Sequence, residues 1–327
     1  VAVTGADGFI GSHLTELLVE RGHQVRAMVQ YNSLGGWGWL DVLDRHLLDQ
    51  VTVVPGDVRD PASVLGLVAG AETVYHLAAL IAIPYSYLAP RSYVETNVLG
   101  TLHVLEAVRA LGTPRLVHTS TSETYGTART VPISEAHPLH AQSPYAASKI
   151  AADKLVESYH ASFGLPVVTL RPFNTFGPRQ SARAVIPAVI SQIATAHEAV
   201  QLGLLEPTRD FMFVKDTAAA FAAAGAAPGD AVLGEVFNAG TGAEISVGDL
   251  ARMIAVLMGR EIKIVGDPGR LRPATSEVMR LVCDAGRLMQ RTGWQPRHTL
   301  EDGLKLTIDW FTDPANLARY RPGHYAI

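Results

Sequence analysis

Cysteine is almost absent: Cys283 stands alone among 327 residues, which excludes an internal disulfide and suits a reducing compartment. Such a cysteine is expected to be a small buried side chain. No apolar run reaches the ~18–20 residues that a membrane-spanning helix requires, so no membrane partner is expected and the cytoplasm is the expected location. An excess of one charge is also missing, with 27 basic against 31 acidic side chains and a formal net charge of −4. Without a basic cluster, nucleic acid is not an expected partner. Disorder is excluded too, because 48% of the residues are hydrophobic and only 18% charged. The chain opens at Val1 inside an apolar strand, so its natural start is expected upstream of that residue.

Alternation of apolar and amphipathic segments comes next. Val1-Ala2-Val3-Thr4 reads as a buried strand that runs into Gly5-Ala6-Asp7-Gly8-Phe9-Ile10-Gly11, and SHLTELLVERG then has helical periodicity. Glycines at such a turn let the backbone approach a pyrophosphate, whose charge sits at the helix N-terminus. Further strands are expected at 24–30, 51–54, 73–77, 115–118 and 166–170, with helices at 91–111 and 143–163. This pattern predicts an α/β fold, a Rossmann-like doubly wound parallel sheet, over residues 1–170. From Arg171 the pattern changes: the turn-rich RPFNTFGPRQ precedes a helix at 183–196 and short strands at 199–202 and 210–213. GEVFNAGTG reads as a strand returning to the first sheet. Residues 171–213 and 241–327 are therefore expected to form a smaller, discontinuous α/β substrate lobe, with the segment at about 214–240 belonging to the first unit.

The chemistry concentrates between Arg115 and Lys149. A hydroxyl-rich run, Thr119-Ser120-Thr121-Ser122-Glu123, follows an apolar strand, and a helix carries Tyr145 and Lys149. Four residues apart, those two share a helix face. A lysine ammonium beside a phenol favours phenolate, which would make Tyr145 a base for a substrate hydroxyl. Thr121 or Ser122 can hold that hydroxyl, and Glu123 offers a second proton acceptor. His76 is expected to be a satisfied core residue and Asp284 a helix cap. The tryptophans of LGGWGWLD are expected to pack rather than to cover an adenine.

The Ser/Thr run, the Tyr-x-x-x-Lys spacing and the glycine-rich first turn together resemble the extended short-chain dehydrogenases/reductases that act on nucleotide sugars. Thr121-Ser122-Glu123 resembles the Thr-(Asp/Ser)-Glu signature of nucleotide-sugar 4,6-dehydratases. The whole chain reads most like the N-acetylglucosamine 4,6-dehydratases of legionaminic-acid pathways. The resemblance implies a hydro-lyase that converts UDP- or GDP-N-acetylglucosamine to a 4-keto-6-deoxy sugar, with Thr121, Ser122, Glu123, Tyr145 and Lys149 catalytic. Ser122 stands where many relatives carry aspartate. The same resemblance leaves a UDP-glucuronate decarboxylase and a 4-epimerase as alternatives, and a non-catalytic nucleotide-binding regulator as a third.

By the same resemblance the dinucleotide would meet Gly5, Gly8, Phe9, Ile10 and Gly11 at the turn, and Asp57 and Val58 near the adenine. Leu77, Ala78, Ala79, Asn97, Tyr145 and Lys149 would line the nicotinamide side. At the end of the second strand, where NAD sites usually place an acid and NADP sites an arginine, the chain has neither; Gln30, Asn32 or Ser33 would hold the ribose. The lack of a local cation favours NAD, with NADP as the alternative. Asn174, Arg179, Arg209 and Arg272 are the expected contacts of the nucleotide-sugar substrate. Homodimerisation through the helices at 91–111 and 143–163 is also implied.

Overall fold

Strands that are apolar at consecutive positions need cover on both faces, and the computed structural model, which describes residues 1–195, 199–271 and 273–320, provides it. The strands are β1 (Ala2–Thr4), β2 (Val25–Gln30), β3 (Val51–Gly56), β4 (Val74–His76), β5 (Leu116–Thr119) and β6 (Val167–Pro172). Beyond them come β7 (Asn174–Phe176), β8 (Ala199–Leu202), β9 (Thr208–Arg209), β10 (Phe211–Phe213) and β11 (Val236–Ala239). Seven of these form one sheet in the order β11-β6-β5-β4-β1-β2-β3, parallel at every pairing. The chain is thus an α/β protein of doubly wound type. Its strand order reverses between β1 and β4, and the crevice outside the carboxyl ends of those strands is where such sheets bind ligands.

One face of the sheet is covered by the helices Phe9–Glu20 and Val214–Ala226, which pack on each other. The alanine-rich sequence of the second permits a close approach: a Cβ on Gly225 would lie 2.0 Å from the Tyr75 hydroxyl. Helices Pro61–Val68, Gly100–Leu111 and Pro144–Phe163 cover the other face with Val64, Leu67, Val104, Leu105, Val108 and Val156. A separate apolar cluster joins Phe176, Ile186, Val189, Ile190, Leu250, Ile254, Leu304, Ile308 and Phe311, drawn from stretches far apart in the chain. Among the described residues no helix is long and apolar enough to cross a membrane.

Two local differences from the sequence reading have physical causes. The helical path expected to begin at Arg91 starts with Ile83–Leu88, restarts at Pro90–Tyr93, widens into a π-helical turn at Val94–Leu99 and continues as Gly100–Leu111. Pro90 lacks an N–H to donate, so it opens a new helix. The strand expected at 210–213 begins one residue later, at Phe211, after Asp210, whose buried carboxylate accepts N–H bonds from Thr241, Gly242 and Cys283. Cys283 is itself buried, and burial pushes its thiol pKa well up. Asp284 accepts from Gly286 N, the first residue of the helix Gly286–Thr292. Trp39 packs against Trp310 and Tyr320, with ring centroids 6.1 and 5.4 Å away, as a packing residue should.

Candidate active site

A cleft of about 1050 Å³ opens along the carboxyl ends of β1–β6 and continues under the loops of the second apolar cluster. Its floor at β1 is the glycine turn. Gly5 has φ +67°, and a Cβ there would lie 2.8 Å from the Ala78 backbone; a Cβ on Gly11 would lie 2.0 Å from the Gly5 oxygen. Only glycine lets these three segments approach so closely. The helix that follows has no side-chain cap at Gly8 and no acid in its first turn. Its N-terminal N–H groups therefore remain available to an anion in the cleft. Gly5, Gly8, Phe9, Ile10 and Gly11 all line it.

Thr4 fixes the next strand end. Its hydroxyl accepts from Leu77 N and Ala78 N, both at 3.1 Å, and so donates to His76 Nδ1 at 2.8 Å. His76 then donates from Nε2 to Thr101 at 3.0 Å. This neutral form agrees with burial, which lowers its pKa well below the usual value. Leu77, Ala78 and Ala79 line the cleft. Asn97 does not, contrary to its expected contact with the cofactor. It is buried in the π-helical turn, where it accepts from Leu80 N (2.8 Å) and donates to Leu80 O (2.9 Å) and Ser148 Oγ (2.9 Å). Ser148 donates to Tyr145 O, so Asn97 clamps the cleft wall to the Tyr145 helix.

At the far end, Gln30, Asp57 and Val58 line the cleft but Asn32 and Ser33 do not. Asn32 turns back on its own loop, accepting from Leu34 N (3.1 Å) and donating to Gly36 O (2.8 Å), and Ser33 is exposed. Asp57 pairs with Arg59, which holds its carboxyl below the usual range.

Thr121, Ser122, Glu123, Tyr145 and Lys149 converge on the middle of the cleft. Thr121 caps the short turn Ser122–Tyr125, its hydroxyl accepting from Glu123 N at 3.3 Å. Tyr145 lies edge-on to Tyr93, ring centroids 6.2 Å apart. Burial pushes its phenol well above the ordinary value, a hydrogen bond with Thr121 draws it down, and the Glu123 carboxylate pushes it up. Lys149 Nζ donates to Thr119 O at 2.6 Å. Burial lowers the lysine pKa to about 8, with Asp153 one turn further along the helix opposing the shift.

Behind this face lies a buried network that the sequence reading missed. Asp153 accepts from Ser120 Oγ (2.7 Å) and Arg171 Nη2 (2.8 Å), and His118 Nε2 lies 3.2 Å away. Arg171 donates to the Tyr125 hydroxyl (2.9 Å), which donates to Asn238 Oδ1 (2.7 Å). Burial alone would raise the Asp153 pKa, but His118, Arg171 and Lys149 outweigh it and hold the group at about 2.

On the substrate side, Asn174 and Arg209 line the cleft. Asn174 Oδ1 is buried with no hydrogen-bond partner among the described residues, and Arg209 pairs with Glu277 at 3.2 Å. Arg179 is a correction. Its backbone is left-handed at φ +68°, and its guanidinium pairs with Glu16 of the first helix at 2.8 Å, outside the cleft lining. Arg272 lies outside the described residues. Arg183 and Arg270 line the cleft as cations the sequence reading did not single out, and Asp7 lines it as an acid. An arginine count per segment would have found the first two, whereas Asp7 was hidden as a spacer in the glycine motif.

The comparisons with known proteins agree on the family and divide between dehydratases and epimerases within it. The GDP-mannose 4,6-dehydratase family model matches residues 2–307. The UDP-glucose 4-epimerase of Mycolicibacterium smegmatis is 34% identical over 94% of this chain and 97% of its own length. A dTDP-glucose 4,6-dehydratase of Xanthomonas campestris is 33% identical over 94% of this chain and 92% of its own. Among solved structures, the dTDP-glucose 4,6-dehydratase DesIV of Streptomyces venezuelae, with NAD bound, superposes with a TM-score of 0.84 at 28% identity, covering 98% of each chain.

Proposed function

The chain belongs to the GDP-mannose 4,6-dehydratase family, among the nucleotide-sugar dehydratases and epimerases of the extended short-chain dehydrogenases/reductases, and from that premise we propose that it is an NAD-dependent 4,6-dehydratase of UDP- or GDP-N-acetylglucosamine. The observation that carries the dehydratase reading is that Glu123 lines the same cleft as Tyr145. Simple epimerisation needs only the phenol. Dehydration needs a second base.

The cradle fits a dinucleotide: the glycine turn admits no Cβ at Gly5 or Gly11, and the uncapped helix offers N–H groups to a pyrophosphate. A bound NAD would be held by Gly5, Gly8 and Gly11 with its nicotinamide side towards Tyr145 and Lys149, and would supply a hydride acceptor for sugar C4 and a hydride donor for C6, with no net redox change. Thr121 orients the C4 hydroxyl and Tyr145 takes its proton. The C4 ketone then acidifies the C5 proton, which Glu123 removes. The C6 hydroxyl leaves as water on the proton that Glu123 took, delivered directly or relayed through Ser122. Glu123, protonated again from solvent, then returns a proton to C5 to complete the 4-keto-6-deoxy sugar, and Tyr145 releases its own proton to solvent. Asn174, Arg209 and Arg270 would meet the nucleoside diphosphate, the two cations facing its charge.

Incubation with UDP- and GDP-N-acetylglucosamine in deuterated water tests this by mass spectrometry. Loss of one water with one deuterium gained at C5 is expected; an unchanged mass with a C4 epimer would reject it. Epimerisation is the second reading, favoured by the Mycolicibacterium smegmatis relative. A decarboxylase would release carbon dioxide from UDP-glucuronate in the same assay, with Arg183 among the cleft cations to face its carboxylate. The chain is further proposed to act in the reducing cytoplasm as a homodimer. Val94 (50% exposed), Leu99 (42%) and Phe163 (54%) leave apolar surface on the two implied helices. Sedimentation at the mass of a single chain would reject the dimer.

A further inference from the structure

In a dinucleotide fold the end of β2 is where the adenosine ribose is read, usually by an acid on that strand. Here the strand ends in Gln30, and an acid reaches the same point from a different element. Asp7, between Ala6 and Gly8 in the glycine turn, lines the cleft beside Gln30, Met28 and Gly56. Its Oδ2 accepts from Gln30 N at 3.0 Å, so the carboxylate is anchored on the last residue of β2. The loop after β2 closes over the turn: Trp39 N donates to Asp7 O at 3.0 Å. Gly38, at φ +60°, comes so close that a Cβ there would lie 2.6 Å from the Asp7 oxygen. Among the described residues no lysine or arginine pairs with Asp7. The nearby cation on that wall, Arg59, is bound to both oxygens of Asp57, with Nε 3.0 Å from each.

We propose that Asp7 sets the cofactor preference: its carboxylate replaces the acid missing from β2, accepting a hydrogen bond from the adenosine ribose of NAD and repelling the 2′-phosphate of NADP. The inference rests on the dinucleotide reading of the cleft. It also explains how a strand without an acid can still select NAD, because what matters is where the charge sits and not which segment brings it.

Calorimetric titration of the purified full chain with NAD and with NADP, backed by the shift of unfolding temperature with each, is the test. The wild type should bind NAD more tightly. Asp7→Asn keeps an oxygen acceptor for Gln30 N–H and removes the charge, so the ratio of the two dissociation constants should move towards NADP by about tenfold or more. Asp7→Ser, with a smaller side chain, should move it the same way. Added salt should narrow the wild-type ratio and leave those of the variants nearly fixed. Variants that still bind NAD with an unchanged ratio would overturn the proposal, as would a wild type that binds both dinucleotides equally. Binding of neither would instead overturn the cofactor reading beneath it.

Discussion

The two ends of the cleft are made of different material. Around β1–β3 the walls are largely backbone: the glycine turn, the uncapped helix start and the loop folded over Asp7. Around β4–β6 they rest on buried ionisable side chains, with Tyr145, Lys149, Asp153, His118, His76 and Arg171 all buried. A backbone cradle presents fixed dipoles and carries few charges to desolvate. The ionisable end has no such economy, since each buried charge costs several kcal/mol unless it is paired. At that end a substitution can therefore strike chemistry, stability or both, depending on whether the group faces the cleft or the network behind it.

Tyr145→Phe should separate the two most sharply. Its hydroxyl faces the cleft and lies outside the Asp153 network, so turnover should fall by about 10²–10⁴. Stability should change by no more than about 1 kcal/mol, the worth of one hydrogen bond. Steady-state kinetics and thermal unfolding on the same preparation check both. A large drop in unfolding temperature would mean that the reactive face and its support are not separable.

Asp153→Asn should do the opposite. The substitution leaves Arg171 buried without its carboxylate, which costs about 3–5 kcal/mol. Arg171→Met in the same chain should restore much of that loss, because the pair is then removed whole. Denaturant unfolding of the single and double variants measures the difference. If the single variant were as stable as the wild type, the network would not be bearing on the fold at all.

The backbone-built end was the easier one to read from sequence, because a strand, a glycine turn and a helix follow one another within twenty residues and each has a local signature. Tyr145 and Lys149 were legible for the same reason, being one helical turn apart. The support behind them was not. Asp153, Arg171, Tyr125 and Asn238 meet only after β5, β6 and β11 pair, and no spacing within a single segment encodes that meeting. Arg179 misled for a related reason: its segment does border the cleft, but its left-handed backbone and Glu16 on a remote helix decide where the guanidinium goes. Asn97 and Asn32 show the same limit, since an amide that can donate and accept is as useful to a loop as to a ligand.

The smallest expected effect lies where the two ends are tied together. His13, on the first helix, bonds to Pro178 O at 3.0 Å, beside the Arg179–Glu16 pair. Burial, helped by the Arg179 charge, lowers its pKa to about 3 from 6.5. Between those values the unfolded chain binds a proton that the native one refuses, so acid progressively removes stability as the pH falls from 6.5 towards 3. The slope for one such group is at most about 1.4 kcal/mol per pH unit. His13→Gln keeps a donor for Pro178 O and does not titrate. Denaturant unfolding at several pH values between neutrality and about pH 5 should show a shallower decline for the variant. The buried His76 and His118, whose pKa values are also lowered, keep the remaining slope. An identical decline in both proteins would place the acid sensitivity entirely at the ionisable end, and the tie between the ends would then be insensitive to pH.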